Sequence, residues 1–242
     1  MRTALAATVH DPYNHLLDWL RRAGPALRET FSGFGILATE PTSNEVVGFL
    51  EDLGATVHRE PPDGNVGRHR RQAVSLAGNE SVLYSDLDNL LRWIDADRPE
   101  LERLLSTPDA DLIVIGRSAP AMAACPRRLR DTEAIVNHIY ALETGRIWDL
   151  MFAVRLLSPF AAKIVADQGR ENTLASDVEW PLLVERAGLS VGYREAGGLS
   201  YRTRQDFDAA HDRNDGSPRH WIQRVEIAAD HCRVLKQFLA AP

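Results

Sequence analysis

The sequence predicts an α/β fold of Rossmann-like character, with a mostly parallel central sheet flanked by helices and a helical C-terminal part. Three observations predict it. From Thr3 to Asp88, short apolar runs alternate with stretches of helical period in the order β-α-β-α-β-α-β. That order calls for parallel strands joined by right-handed crossovers. The 242 residues are also enough for one domain with a full core, and no repeat, linker or low-complexity segment divides them. The expectation is therefore a single domain over 1–242. Last, the far end of the chain is dominated by helical periods, closing with a long helix that starts at Ser217-Pro218.

Thr3 to Val9 reads as a buried first strand that ends in the polar turn His10-Asp11-Pro12. The next segment places Leu16, Leu17, Leu20 and Ala23 on one face and Asp18, Arg21 and Arg22 on the other, a helical pattern. Gly33 to Thr39 is a second strand. Ser43 or Asn44 caps the helix that follows, and Gly54 stops it. Ala55 to His58 is a short third strand, Pro61 to Gly64 a loop, and NVGRHRRQAVSLAG an arginine-rich helix. Val82-Leu83-Tyr84 is the fourth strand, followed by a helix that breaks around Asp95 to Pro99 and resumes as ELERLLS. Asp111 to Gly116 is a further buried strand. Thr132 to Glu143 and Ile147 to Leu157 read as helices, and Pro159 separates another, FAAKIVADQ. Asp177 to Ala187 reads as a helix with Pro181 in its first turn, Ser190 to Glu195 as a strand, and Gly197-Gly198 as a turn.

Composition excludes several classes of function. The formal net charge of −6 argues against a general nucleic-acid-binding surface. Lys163 and Lys236 are the only lysines, and no phosphate-binding P-loop motif occurs. Cys125 and Cys232 are isolated, which fits a reducing cytosol and neither a disulfide framework nor a structural zinc site. The N-terminus lacks a signal-peptide apolar region and no stretch approaches a membrane span, so a cytoplasmic protein is expected. The eight histidines show no H-x-x-x-H spacing, G-x-S-x-G is absent, and the first βα turn has no glycines for a dinucleotide.

The informative stretch is Ser81 to Trp93, SVLYSDLDNLLRW. A strand delivers its C-terminal residues to the sheet edge where open α/β folds bind ligands. Asp86 and Asp88, just past such an end, are hard oxygen donors suited to Mg²⁺ or Mn²⁺ with substrate phosphates. The same residues also suit a turn, with Asp88 or Asn89 capping the next helix. Arg70, in Gly67-Arg68-His69-Arg70-Arg71, carries a guanidinium fork matched to phosphate oxygens, though a solvated basic face has the same composition. His10 and Asp11 can line a base pocket or form a turn. Asp177 and Glu179 offer carboxylates at a helix start, where Asp177 also suits an N-cap.

In order and spacing, residues 3 to 200 resemble the nucleotide-sugar-dependent glycosyltransferases of the GT-A fold, family 2-like. The resemblance is carried by Val9-His10-Asp11, Gly67-x-x-Arg70, Asp86-Leu87-Asp88 and Ser176-Asp177-Val178-Glu179-Trp180. It implies a cytoplasmic, metal-dependent enzyme that moves a sugar from a UDP- or GDP-linked donor to a small-molecule or glycan acceptor, and it is compatible with a homodimer. Asp88 would bind Mn²⁺ or Mg²⁺, and Asp86 would lie near the ribose or sugar. Arg70 would face the nucleotide, with His10 and Asp11 beside the base. Asp177 or Glu179 matches the region of the catalytic base of inverting members. A second metal ligand would come from the loop between Asp206 and His220, with His211 the favoured residue. The family's Gly-Ala-Arg run is replaced here by Gly67-Arg68-His69-Arg70, and Val178 splits the paired acids before the tryptophan.

Two alternatives share parts of this pattern. A haloacid-dehalogenase-like phosphatase also carries D-x-D after an apolar strand. Its motif belongs on the first strand with a Thr two residues on, where this chain has three preceding β-α units and Leu90. The other alternative is a non-catalytic nucleotide-binding or scaffold protein on the same core.

Overall fold

Strand β1 (Thr3–Val9) is built from small and apolar residues on both faces, and a computed structural model places it inside the sheet with helices on either side. The structure describes residues 3–199 and 213–239. Along β1, Leu5, Ala7 and Val9 face one core and Ala6 the other, as the two-residue period of a strand requires. The remaining strands are β2 (Phe34–Thr39), β3 (Thr56–Glu60), β4 (Ser81–Asp86), β5 (Leu112–Arg117), β6 (Val154–Leu157) and β7 (Val191–Ala196). They form one seven-stranded sheet in the order β3-β2-β1-β4-β6-β5-β7. All neighbours are parallel except β6, which runs antiparallel to β4 and to β5.

Helices α1 (Leu17–Thr30), α2 (Asn44–Asp52) and α4 (Leu87–Ser106) cover one face. The opposite face is covered by α3 (Val66–Leu76), α6 (Arg127–Thr144), α7 (Pro159–Gln168), α8 (Ser176–Arg186) and α9 (Pro218–Leu239). The short α5 (Ala119–Ala123), capped by Ser118, follows β5. No helix among the described residues is long and apolar enough to cross a membrane.

Most predicted elements stand within a residue or two of their expected bounds. The predicted break in α4 occurs at Asp97, whose carboxylate accepts the Glu100 amide at 2.9 Å and restarts the helix. Pro159 occupies the first turn of α7, where its missing amide costs nothing.

The helix expected over Ile147 to Leu157 is not formed. Residues 147–153 are irregular, Ile147 is exposed, and Val154–Leu157 is the antiparallel strand β6. A short apolar run does not distinguish strand from helix by period alone. Here pairing with β4 and β5 decides.

Pro181 also lies outside the first turn, because α8 begins at Ser176. A proline there cannot donate to the carbonyl four residues earlier, that of Asp177. The buried Arg155 of β6 supplies the missing donor, with Nη2 2.9 Å from that oxygen.

Gly67 shows why a glycine opens α3. Its amide donates to the Asn172 carbonyl at 2.8 Å. A Cβ there would overlap the Glu171 carbonyl and come within 2.7 Å of the Thr173 oxygen. Gly67→Ala is therefore expected to destabilise the chain by about 1–3 kcal/mol through displacement of the 169–175 segment. A lowered midpoint in urea would register it, and an unchanged midpoint would show that the segment yields freely.

Candidate functional site

The sheet order reverses between β1 and β4, the point at which open α/β sheets hold ligands beyond their strand ends. A crevice of about 850 Å³ opens there. Its floor comes from the ends of β1, β4 and β5, and its walls from α3, α6, α8 and α9. Because β6 is reversed, the residues that lead into it, Met151 to Ala153, enter the same crevice.

Arg70 is the centre of one wall, with only 3% of its surface exposed. Its Nη1 donates to Asp177 Oδ1 at 2.7 Å and to the Ser176 hydroxyl at 3.2 Å, and its Nη2 lies 3.4 Å from Asp86 Oδ2. Burial works against its charge, but Asp177, Tyr84 and Asp86 outweigh that and hold the guanidinium firmly protonated. Burial likewise works to raise the Asp177 carboxyl. Arg70, His231 and Arg155 outweigh it and bring it below the usual carboxylate range. Asp86 Oδ1 accepts the Tyr84 phenol at 2.7 Å and the Thr8 hydroxyl at 2.9 Å. Three of the sequence-predicted residues, Arg70, Asp86 and Asp177, thus form one ion-paired row.

Asp88 stands differently. Its side chain is 41% exposed and faces the crevice, with Arg92 one helical turn on at 3.2 Å. The surrounding protein raises its carboxyl above the usual range, Arg92 lowers it, and Asp86 raises it again. With Oδ2 paired to Arg92 and the side chain open to the crevice, Asp88 is a hard oxygen donor that fits a Mg²⁺ or Mn²⁺ ion whose other ligands are phosphate oxygens and water. Asp86 fits less well, since both of its oxygens already accept hydrogen bonds. No group of three or more metal-ligating side chains occurs among the described residues. His211 lies outside them.

Neither Asp88 nor Asp177 caps its helix. The N-cap of α4 is Asp86, without a side-chain cap, and that of α8 is Ala175.

At the end of β1, the His10 ring meets the Thr39 hydroxyl at 2.6 Å. Asp11 borders the crevice, but its carboxylate is occupied by backbone amides, those of His15 at 2.9 Å, Leu16 at 2.8 Å and Tyr13 at 3.4 Å. It shapes the turn that presents Tyr13, a ring 78% exposed at the crevice.

Glu179 is not at the crevice. Its Oε1 accepts the amides of Arg170 at 2.6 Å and Glu171 at 2.8 Å, and so fixes the loop before α8.

The opposite wall contains residues that the sequence did not single out. Arg117, at the end of β5, grips Asp149 through Nε at 2.8 Å and Nη2 at 2.9 Å, and also pairs with Glu133. Arg224 of α9 reaches Glu133 at 2.6 Å. Burial raises the Glu133 carboxyl, against Arg117 and Arg224. Arg117 could have been suspected, because it ends a strongly apolar strand at the sheet edge used for binding. Glu133 and Arg224 reach the wall, and Asp149 reaches Arg117 behind it, only through tertiary packing.

The fold is the GT-A fold. No family model matches the chain, and no curated protein matches its sequence. Solved structures of glucosyl-3-phosphoglycerate synthase from Mycobacterium tuberculosis share the architecture. One has a TM-score of 0.65 at 10% identity, over 100% of this chain and 81% of that one. The complex with UDP gives 0.61 at 11% identity, over 100% and 81%. The complex with Mn²⁺, UDP-glucose and phosphoglyceric acid gives 0.60 at 10% identity, over 96% and 80%.

Proposed function

We propose that the protein is a glycosyltransferase that takes a nucleoside-diphosphate sugar, a uridine nucleotide first among the candidates, and transfers the sugar to a hydroxyl acceptor. The observation that supports this most is the row Asp86–Arg70–Asp177 beside Asp88, at the switch point of a GT-A sheet. Solved structures of the same fold carry UDP or UDP-glucose with Mn²⁺.

In this reading Arg70 faces the donor phosphates, and Asp177 holds Arg70 in place. Asp86 lies by the ribose or sugar, and the turn at His10 and Tyr13 lies by the base. Asp88 would hold the divalent ion, which when bound neutralises charge on the departing diphosphate. The wall of Arg117, Glu133 and Arg224, with Met151 and Phe152 beneath it, is left for the acceptor.

The crevice also bears on the stereochemistry. Each carboxylate that lines it among the described residues is already engaged: Asp11 by amides, Asp86 and Asp177 by Arg70, Asp88 by Arg92, Glu133 by Arg117 and Arg224. A general base needs a free oxygen within reach of the acceptor. The burial of Asp177 against Arg70 and the turning of Glu179 into the loop at Arg170 favour a retaining transfer over an inverting one that uses either of them.

UDP with Mn²⁺ is expected to raise the melting temperature, by an amount equivalent to about 2.7 kcal/mol at a hundredfold excess over Kd. No shift with UDP or GDP, with or without metal, would remove the reading. In slow hydrolysis of UDP-α-glucose, proton NMR should show α-glucose appearing first. Initial β-glucose would restore the inverting alternative.

A further inference from the structure

His231, on α9, is wholly buried at 0% exposure and yet borders the crevice. Its Nδ1 stands 2.7 Å from the Ile227 carbonyl oxygen. A carbonyl only accepts, so Nδ1 carries a proton. Nε2 has no hydrogen-bond partner and faces Asp177 Oδ2 at 3.6 Å. A neutral ring protonated on Nδ1 would turn a lone pair toward that carboxylate. Both ends are satisfied only when both nitrogens carry protons.

We propose that His231 is a positioning residue for the donor diphosphate, held as an imidazolium against Asp177 so that the positive charge of Arg70 stays available to the phosphates. The proposal rests on the crevice being a nucleotide-sugar site. The row Asp86–Arg70–Asp177–His231 then holds two negative and two positive members, with Arg155 adding a further positive charge beside Asp177. Loss of the His231 proton removes one positive charge from the place where a diphosphate has to bind. Donor affinity is therefore highest below the titration of this ring and falls as pH rises through it.

Other groups surround the same space. Asp177 of α8 faces His231, with Arg70 of α3 and Arg155 of β6 beside that carboxylate. Glu133 of α6 and Arg224 of α9 border the crevice, and His10 and His15 are the other imidazoles there. The diphosphate of a nucleotide sugar is a diester that stays fully ionised across the range, and the uracil and guanine rings keep their N–H protons up to about pH 8, so below that the ligand adds no pH dependence of its own.

The test titrates UDP-glucose, or GDP-glucose if the uridine nucleotide does not bind, into the full chain with Mg²⁺ at about pH 6 and about pH 8. Wild type is compared with His231→Gln and His10→Gln, and the assigned His231 ring is followed by ¹⁵N NMR. Wild-type affinity should fall on the order of three- to tenfold across the range. His231→Gln should bind weakly with a flattened profile, and His10→Gln should keep the wild-type slope. By reciprocity the titration of His231 should move upward when the donor binds.

A His231 ring that is neutral at the acid end, or a flat wild-type profile, overturns the proposal and leaves the donor site standing. Failure of both nucleotide sugars to bind at every pH overturns the donor-site reading and this proposal with it. If His231→Gln does not fold, the wild-type profile and the ring titration decide.

Discussion

Arg70→Met is expected to destabilise the chain by about 3–5 kcal/mol, because it leaves Asp177 and part of Asp86 buried without their counter-charge. Arg70 is almost entirely enclosed and bonded to both acids. A neutral side chain of similar length keeps the packing and removes only the charge. Chemical denaturation should show the loss, and UDP binding should vanish in whatever folded protein remains. The same change at Arg22, an exposed residue of α1, should alter neither. Asp177→Asn should also lower the melting temperature, since Asp177 is the close partner of Arg70 and not a helix cap. The pH dependence has a definite sign. The Asp177 carboxyl titrates below its unfolded value, so its contribution is complete above the ordinary aspartate range and is lost as pH falls through the lowered value. Asp177→Asn should therefore flatten the acid limb of the stability curve. An unchanged acid limb would mean that Arg70 does not depend on Asp177.

Asp88→Asn should have the largest effect on activity with little effect on folding. The residue is at the mouth of the crevice and its partner is a single surface-reaching arginine. Its removal is expected to cost about 10²–10³-fold in turnover of the donor, the magnitude typical of losing one electrostatic contact to a developing charge. Metal-supported UDP binding should disappear at the same time. EDTA should reproduce the binding defect in the wild type and add nothing to the variant. If UDP binding ignores EDTA in the wild type, Asp88 holds no metal and Arg92 is its only partner of consequence.

The fold was legible largely because its evidence is local. Apolar runs and glycine or proline stops sufficed for the first four strands, and the D-x-D followed its strand as expected. What escaped is what depends on distant chain. The first turn of α6 was invisible because its cap, Asp215, accepts the amides of Arg127 and Arg128 from almost ninety positions away. The strand β6 was read as helix because only its neighbours β4 and β5 determine its conformation. Sequence alone suggested that Arg70, Asp86 and Asp88 lie at one sheet edge, and all three line the crevice there. It could not show that Asp177 is consumed by Arg70, that Glu179 is turned into the loop at Arg170, or that Arg117 and Arg224 build the facing wall. A carboxylate motif reveals where charge is placed. It does not reveal whether that charge is already spoken for.

The reversal of β6 has a consequence for how such a protein can diversify. A parallel strand would bring the chain into the sheet at the far edge, and the residues before it would never see ligand. Running backward, β6 is entered from the ligand edge, so the stretch before it, Met151 to Ala153, meets the crevice from a piece of chain that takes no part in the pairing of β1 with β4. On the proposed reading, acceptor contacts and the metal-side residues therefore sit on separate pieces of one sheet. Grafting that stretch between members of this architecture should exchange what is glycosylated while the nucleotide specificity stays with the recipient.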